Sequence, residues 1–230
     1  MLNQLILSPK QGYNLIAPYY DSWKWQYFWK CNEQPYIKRW RDTLQPGYGA
    51  DLGAGSGNNI GCFLERNHHV TAYDISELML MLCSRKYRNE IVHGFLECYV
   101  RDINELNITQ RPYDWLICNR VLTHIIDVNN IIRRMARILK PGGQCFISDV
   151  HPLHRYDHTH YNIGGREIVI ETYKHSIEEL KGGVYINGLS IIDFQEITRP
   201  RLMVPELADN FHSIQDDDTP IFYYMILRKM

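Results

Sequence analysis

The sequence has no excess of charge of either sign. Its 230 residues contain 25 Lys and Arg against 26 Asp and Glu, for a formal net charge of −1. Proteins that bind nucleic acids present clustered basic side chains, and these totals do not require a basic face. We therefore expect no nucleic-acid partner, although a local basic patch is compatible with the composition.

Long apolar runs and paired cysteines are also absent. The first ten residues, MLNQLILSPK, have no basic lead-in and no extended apolar stretch, so we expect neither a signal peptide nor a membrane span. Six cysteines are scattered singly, without a C-x-x-C pair, at positions 31, 62, 83, 98, 118 and 145. Single cysteines in a chain of this length indicate buried, reduced thiols and predict a cytoplasmic protein.

Short apolar runs alternate with amphipathic segments from residue 48 onward. The predicted strands cover residues 48–52, 69–73, 98–100, 115–118, 144–148, 189–197 and 219–227. The predicted helices cover residues 59–67, 76–88, 129–139 and 176–186. This alternation is typical of an α/β fold with a doubly wound, mainly parallel sheet that carries helices on both faces.

The chain length suits one domain, which we divide into four segments. These are a helical cap, a ligand-binding core, an insertion after the fifth strand and a C-terminal half, at residues 1–45, 46–152, 153–175 and 176–230. The cap is rich in aromatic side chains and predicts one or two helices, with Pro18 and Pro35 as breaks. Such a cap can pack on the sheet, close over a ligand, or dock a partner subunit in a homodimer. We expect a pair of strands within the insertion.

A glycine-rich loop follows the first predicted strand, where residues 51–59 read D-L-G-A-G-S-G-N-N. The three glycines, Gly53, Gly55 and Gly57, allow a tight turn and a close approach of the backbone to a ligand. A dinucleotide loop, G-x-G-x-x-G, would have its third glycine where Asn58 stands. Asp51 would repel a pyrophosphate, but its carboxylate suits a ligand with an amino group and a cationic sulfur.

This loop resembles the D-x-G-x-G-x-G motif of class I S-adenosylmethionine-dependent methyltransferases, and the resemblance extends over residues 13–229. The lead-in Y-x-x-x-A-x-x-Y-D, with Tyr13 and Tyr20 as its tyrosines, resembles the ubiquinone-methyltransferase-like, small-molecule branch. The resemblance implies a Rossmann-like sheet of seven strands whose antiparallel last strand lies between the fifth and the sixth. It also implies that the two tyrosines close over the cofactor.

Further cofactor residues are expected at the carboxyl ends of the strands, where ligands bind in open α/β sheets. The resemblance assigns the ribose to Asp74, the adenine to Asp102 and Ile103, and the methionine portion to Asn119. Asp74 would equally suit a nicotinamide enzyme, and Asp102 can instead be a helix N-cap or an exposed loop acid. Two more cofactor contacts are expected beside these acids and in the glycine loop, at Ile75 and Ala54.

Histidines are the candidate catalytic bases, because their unperturbed pKa of about 6.5 is close to cellular pH. His124 matches a position where many small-molecule methyltransferases carry a histidine, although it can also be a capping or packing residue. His151 and His154 follow the fifth predicted strand and are expected to bind substrate or act as a base. Together with Asp157 and two further histidines they also suit a metal or a solvated loop, and we predict no metal there.

The sequence therefore predicts methyl transfer from S-adenosylmethionine to an oxygen, nitrogen or carbon atom of a small molecule. No N-P-P-Y or D-P-P-Y follows the fourth predicted strand, unlike in enzymes that methylate nucleic-acid or protein-glutamine nitrogens. Two alternatives stay open: a cyclase or rearrangement enzyme that uses the cofactor structurally, and a tRNA or protein methyltransferase. Asp51 and Asn58 both oppose a nicotinamide-dependent dehydrogenase.

Overall fold

The computed structural model describes residues 5–107, 112–154, 158–198 and 219–230. Its strands are β1 Leu5–Leu7, β2 Tyr48–Leu52, β3 His69–Asp74, β4 Leu96–Val100, β5 Tyr113–Asn119, β6 Leu139–Val150, β7 Thr159–Ile163, β8 Arg166–Ile170, β9 Leu189–Ile197 and β10 Phe222–Lys229. Its α-helices are α1 Pro9–Tyr20, α2 Lys24–Asn32, α3 Gln34–Arg41, α4 Ile60–Leu64, α5 Glu77–Lys86, α6 Arg88–Val92, α7 Val128–Ile138 and α8 Ile177–Ile186. Within these ranges no helix is long and apolar enough to cross a membrane.

The larger sheet has seven strands in the order β4-β3-β2-β5-β6-β10-β9. The last strand, β10, is antiparallel to both of its neighbours, β6 and β9. The strand pairs that run from β4 to β6 are all parallel. The predicted fold class is therefore confirmed, including the antiparallel strand between the fifth and sixth strands of the sheet.

Both faces of this sheet are covered by apolar side chains and helices. Leu116 and Ile117 are neighbours on β5, point to opposite faces and are fully buried. One face packs against α7 and α8, and the other packs against α3, α4 and α5. Burial of β5 on both faces explains why its sequence is a continuous apolar run rather than an alternating one.

The helix α7 shows how local signals set these boundaries. Asp127 precedes it, and its carboxylate accepts a hydrogen bond from the backbone N–H of Asn130 at 3.0 Å. Ile131, Ile132 and Met135 lie on its buried face. The predicted helix over 129–139 is thus confirmed to within one residue at each end.

The prediction of one or two helices in the N-terminal segment was wrong, because the structure has three. Pro18 does not break a helix but lies in the last turn of α1. At that position the missing N–H removes a single intrahelical hydrogen bond, and the helix ends two residues later. Pro35 lies in the first turn of α3, where its fixed φ is favourable, and the break expected there is confirmed.

A second, three-stranded sheet has the order β1-β8-β7. The antiparallel pair β7–β8 confirms the strand pair expected in the insertion. Strand β1, which the sequence did not predict, runs parallel to β8. Helix α1 packs on the same strand, with Gly12 so close to Ile170 that a Cβ would overlap its side chain. The N-terminal segment and the insertion therefore form one packed unit, although about 160 residues separate their paired strands.

Candidate active site

A cavity of about 730 Å³ lies at the carboxyl ends of β2, β3, β4, β5 and β6. The helix α1 and the hairpin β7–β8 contribute to its other wall. The predicted site residues that line it are Tyr13, Tyr20, Asp51, Gly53, Ala54, Gly55, Asn58, Asp74, Ile75, Asp102, Ile103, Asn119, His124 and His154. Gly57 and His151 do not line it. The cavity thus collects most of the predicted residues in the crevice where this sheet class binds ligands.

The glycine loop is shaped by three left-handed glycines, with φ of 79° at Gly53, 55° at Gly55 and 79° at Gly57. At Gly55 a Cβ would meet only the end of the Met79 side chain within about 3.4 Å, so the backbone there is open toward the cavity. At Gly57 a Cβ would press on the Cys83 sulfur at 2.7 Å. Gly57 therefore allows the loop to pack on α5 rather than to contact a ligand.

Asp51 is a buried carboxylate on the cavity wall, with 3% of its surface exposed. Burial, together with the nearby charge of Asp74, raises its pKa to about 7, although Arg120 opposes this effect. Loss of hydration without a full counter-charge disfavours the ionised form. A cationic ligand in the cavity would restore it, and an ammonium group has the matching charge and hydrogen-bond donors.

The acids at the ends of β3 and β4 are held by backbone donors. Asp74 accepts hydrogen bonds from the N–H of Gly55 and of Ser76, both at 2.7 Å. Burial raises the pKa of Asp74, and these bonds lower it. Asp102 accepts from the N–H of Asn104 at 2.8 Å and caps a 3-10 helix, Ile103–Glu105. Asp102 is therefore an N-cap that also lines the cavity, and its assignment to the adenine stays a prediction.

Asn119 ends β5 at the centre of the cavity edge. Its side-chain amide donates to Ser148 Oγ at 2.5 Å, which fixes the orientation of the amide. Its Oδ1 is buried and has no hydrogen-bond partner among the residues that the structure describes. Buried acceptors without a partner are uncommon, and a ligand N–H or a water would satisfy this one.

His124 is joined to Tyr13 across 111 residues of sequence. Its Nδ1 lies 2.8 Å from the carbonyl oxygen of Glu171, which can only accept, so Nδ1 carries the proton. Its Nε2 therefore accepts the hydrogen bond from the Tyr13 hydroxyl at 2.8 Å. Burial lowers the pKa of His124 to about 4, with the bond to Glu171 partly opposing that effect. The imidazole is neutral at pH 7, with its lone pair directed at a phenol.

The histidines after β6 differ in their surroundings. His151 donates from Nε2 to Glu196 at 2.7 Å and accepts at Nδ1 from the N–H of Leu153, which places its ring outside the cavity lining. His154 does line the cavity, and burial lowers its pKa to about 4. Asp157 lies outside the described residues. Within the described ranges, no group of three or more His, Cys, Asp or Glu could hold a metal ion.

Sequence reasoning missed several residues of the cavity wall, among them Arg120, Asp149 and Trp29. Arg120 and Asp149 follow or end strands, so the strand-end rule that found Asn119 could have found them. Trp29 lies in the aromatic segment, where nothing distinguished it from its neighbours. Asp149 is buried, and its pKa is raised to about 6 by burial, against the backbone hydrogen bonds from Thr123 and Val150.

The sheet order, the glycine loop and the acids at the strand ends define the fold class as that of the class I S-adenosylmethionine-dependent methyltransferases. Comparison with known proteins agrees, because residues 50–147 match the family model described as a methyltransferase domain. The matched segment runs from β2 into β6, and the order of the strands in the sheet agrees with the match.

Individual relatives are distant. A ubiquinone biosynthesis O-methyltransferase of Coxiella burnetii is 26% identical over 109 residues, which are 47% of this chain and 46% of that protein. The chain thus matches about half the length of this relative. An S-adenosylmethionine-dependent methyltransferase from Clostridium acetobutylicum has a TM-score of 0.68 at 16% identity, over 94% of this chain and 98% of that one. The [4+2]-cyclase SpnF has a TM-score of 0.68 at 17% identity, over 98% of both chains. These two structures share the fold.

Proposed function

We propose that the protein transfers a methyl group from S-adenosylmethionine to a small molecule. The observation that carries the proposal is the buried Asp51 carboxylate. It faces the cavity beside an open glycine loop, and its raised pKa marks an unmet need for a positive charge. S-adenosylmethionine carries both an ammonium and a sulfonium group. The residues present therefore fit this cofactor.

The cofactor would be held along the strand ends. Asp51 and the unpartnered Oδ1 of Asn119 would bind the amino group. Asp74, with Ile75 beside it, would face the ribose, and Asp102 with Ile103 the adenine. In the glycine loop Gly53, Ala54, Gly55 and Asn58 would lie against the cofactor, while Tyr13 and Tyr20 would close over it. When bound, S-adenosylmethionine supplies an electrophilic methyl on a good leaving group, so the protein mainly orients the acceptor.

The pair Tyr13–His124 would remove the acceptor's proton where one must leave. The acceptor's proton passes to the Tyr13 oxygen as the phenolic proton passes to His124 Nε2. The carbonyl of Glu171 then stabilises the imidazolium through Nδ1–H. Proton removal of this kind contributes about 100- to 10,000-fold in rate. His154 is a second candidate because it lines the cavity, whereas the placement of His151 gives its predicted catalytic role no support.

A small acceptor fits the cavity better than a polymer does. The cap and the hairpin β7–β8 cover a volume of about 730 Å³, which is the size of a small-molecule site. The near-neutral charge also gives a nucleic-acid partner no support. The free thiols of all six cysteines suit a reducing compartment such as the cytoplasm. A homodimer and the four-segment division of residues 1–230 stay predictions.

The second candidate is a cyclisation or rearrangement enzyme that binds the cofactor without transferring its methyl. The hydrogen bonds of His124 favour this candidate, because both ring nitrogens have partners. The low pKa of His124 also makes its ring a weak base. The likeness to a [4+2]-cyclase is compatible with this candidate but does not prefer it. A tRNA or protein methyltransferase is the third candidate.

The deciding experiment follows a labelled methyl group from S-adenosylmethionine into a size-fractionated cell extract. Asp51→Ala should abolish labelling, whereas Asp42→Ala, at an exposed carboxylate outside the cavity, should not. Label in the small-molecule fraction supports the proposal, and label in RNA or protein refutes the acceptor class. If S-adenosylhomocysteine binds but nothing is labelled, either the extract lacks the acceptor or the protein is the cyclase of the second candidate.

A further inference from the structure

Arg120 is a cationic side chain on a cavity wall that also carries the carboxylates of Asp51, Asp74, Asp102 and Asp149. It directly follows Asn119, and its side chain is 18% exposed and lines the cavity. Its backbone is left-handed, with φ of 55°, and its N–H donates to the carbonyl of Ser148 at 2.8 Å. Left-handed backbone is unfavourable for a long side chain. The fold therefore holds Arg120 at this edge against a conformational cost.

The guanidinium makes ionic and ring contacts but no hydrogen bond to any residue in the described part of the chain. Its Nε is 3.3 Å from Glu33 Oε2, and both of these atoms are buried without a hydrogen-bond partner. Its Cζ lies 5.2 Å from the centre of the Trp29 ring. A guanidinium has five N–H donors, so a desolvated one without acceptors is costly. Glu33 supplies an ion pair but no hydrogen bond, so the N–H donors of the guanidinium have no acceptor in the described part of the chain.

Glu33 is fixed in place and does not rotate freely to supply that acceptor. Its Oε1 accepts a hydrogen bond from Ser148 Oγ at 2.5 Å, and Ser148 in turn accepts from the Asn119 amide. Glu33 is 1% exposed and does not line the cavity. It therefore positions the guanidinium by charge from behind the cavity wall, while Arg120 itself lines the cavity.

We propose that Arg120 binds a carboxylate of the acceptor, and that the acceptor is an aromatic or hydrophobic carboxylic acid. The planar guanidinium fits a carboxylate through two parallel hydrogen bonds. The aromatic body would lie against the tryptophans of the cavity wall, Trp23, Trp25 and Trp29. The cofactor's ammonium and sulfonium groups suit the acidic strand ends. Its own carboxylate is the rival anion for Arg120, and binding of S-adenosylhomocysteine by the Arg120 variants separates the two assignments. This inference rests on the proposed function and names the substrate class for it.

Binding of matched probes to the protein saturated with S-adenosylhomocysteine tests the inference. The probes are 2-naphthoate and 2-naphthamide, which have the same ring and differ in charge, and titration calorimetry gives their affinities. Wild type should bind the carboxylate at least about tenfold more tightly than the amide. Arg120→Gln should remove this preference. Arg120→Asn, which tolerates the left-handed backbone, should do the same without loss of folding.

Arg101→Gln is the matched control, because Arg101 also lines the cavity but is exposed at the end of β4. It should keep the preference. Equal binding of the two probes by wild type, no binding of either, or a preference that survives Arg120→Gln would overturn the inference. Loss of S-adenosylhomocysteine binding in both Arg120 variants would also overturn it, by assigning Arg120 to the cofactor. Failure of wild type to bind S-adenosylhomocysteine would instead refute the proposed function.

Discussion

The two walls of the cavity are built by different kinds of contact. On the strand-end wall, Asp74 and Asp102 are held by backbone N–H groups between 2 and 19 residues away. On the cap wall, Tyr13 bonds to His124 across 111 residues, and Ser148 bonds to Glu33 across 115. The strand-end wall thus forms with the sheet, whereas the cap wall exists only once the cap and the insertion have docked.

This difference has a functional consequence. The strand-end wall carries the carboxylates that suit the cofactor, and the cap wall carries Tyr13, Trp29 and the contacts of Arg120 that we assign to the acceptor. Damage to the cap should therefore lower turnover much more than cofactor affinity, to which the cap contributes only the rings of Tyr13 and Tyr20. The following variants test that separation, from the largest expected effect to the smallest.

Asp51→Asn should weaken S-adenosylhomocysteine binding by about 10- to 100-fold, since it removes a charged hydrogen-bond partner. The same change should stabilise the unliganded protein, by up to a few kcal/mol at pH 8. The folded pKa of about 7 lies above the ordinary 3.8, so the ionised carboxylate opposes folding above pH 7. That penalty disappears as the pH falls toward 4. Melting curves of the wild type and of Asp51→Asn at pH 5 and pH 8 measure this penalty. If the two proteins differed in stability by the same amount at both pH values, the raised pKa of Asp51 would be contradicted.

Tyr13→Phe should lower kcat by about 10- to 100-fold and leave S-adenosylhomocysteine affinity within about threefold, because it removes the proton path but keeps the ring. Steady-state kinetics and calorimetry separate the two effects.

The pKa of His124, at about 4, predicts that its protonation abolishes activity only below about pH 5. A fall in kcat centred near pH 6.5 that disappears in His124→Asn would show that the imidazole titrates normally.

Ile6→Pro should detach β1 from β8, because proline removes a strand N–H and Ile6 pairs with Val169. We expect several-fold lower turnover, faster hydrogen exchange at the amides of β8, and cofactor affinity changed by less than about twofold. Ile6→Val keeps the backbone donor and is the control. A parallel loss of cofactor affinity would mean that the two walls do not behave separately.

Glu167→Gln should have almost no effect. Glu167 pairs with His160 at 2.9 Å, but the two side chains are 40% and 38% exposed. Exposed ion pairs contribute about 0–1 kcal/mol, so Tm should move by less than about 3 °C. Turnover should match wild type. A large loss of activity in this variant would indicate that the hairpin's surface charge takes part in acceptor binding.

The accuracy of the sequence predictions follows the same division. Asp51, Asp74, Asp102 and Asn119 were found because a strand end is visible in the sequence and the sheet brings such ends to one edge. Asp149 obeys the same rule but was passed over in favour of the nearby histidines. The ring of His151 is held by Glu196, 45 residues away, and no local pattern reveals such a partner.

The sequence by itself determined the sheet, the glycine loop and the strand-end carboxylates, because apolar periodicity, glycine content and strand ends are local properties. Only the tertiary structure decided that β1 pairs with β8, that Tyr13 directs its hydroxyl at His124, and that Arg120 faces the cavity. The reason is that these arrangements depend on contacts between segments more than 100 residues apart. Their free energy comes from packing and desolvation in the assembled fold, which no short stretch of sequence contains.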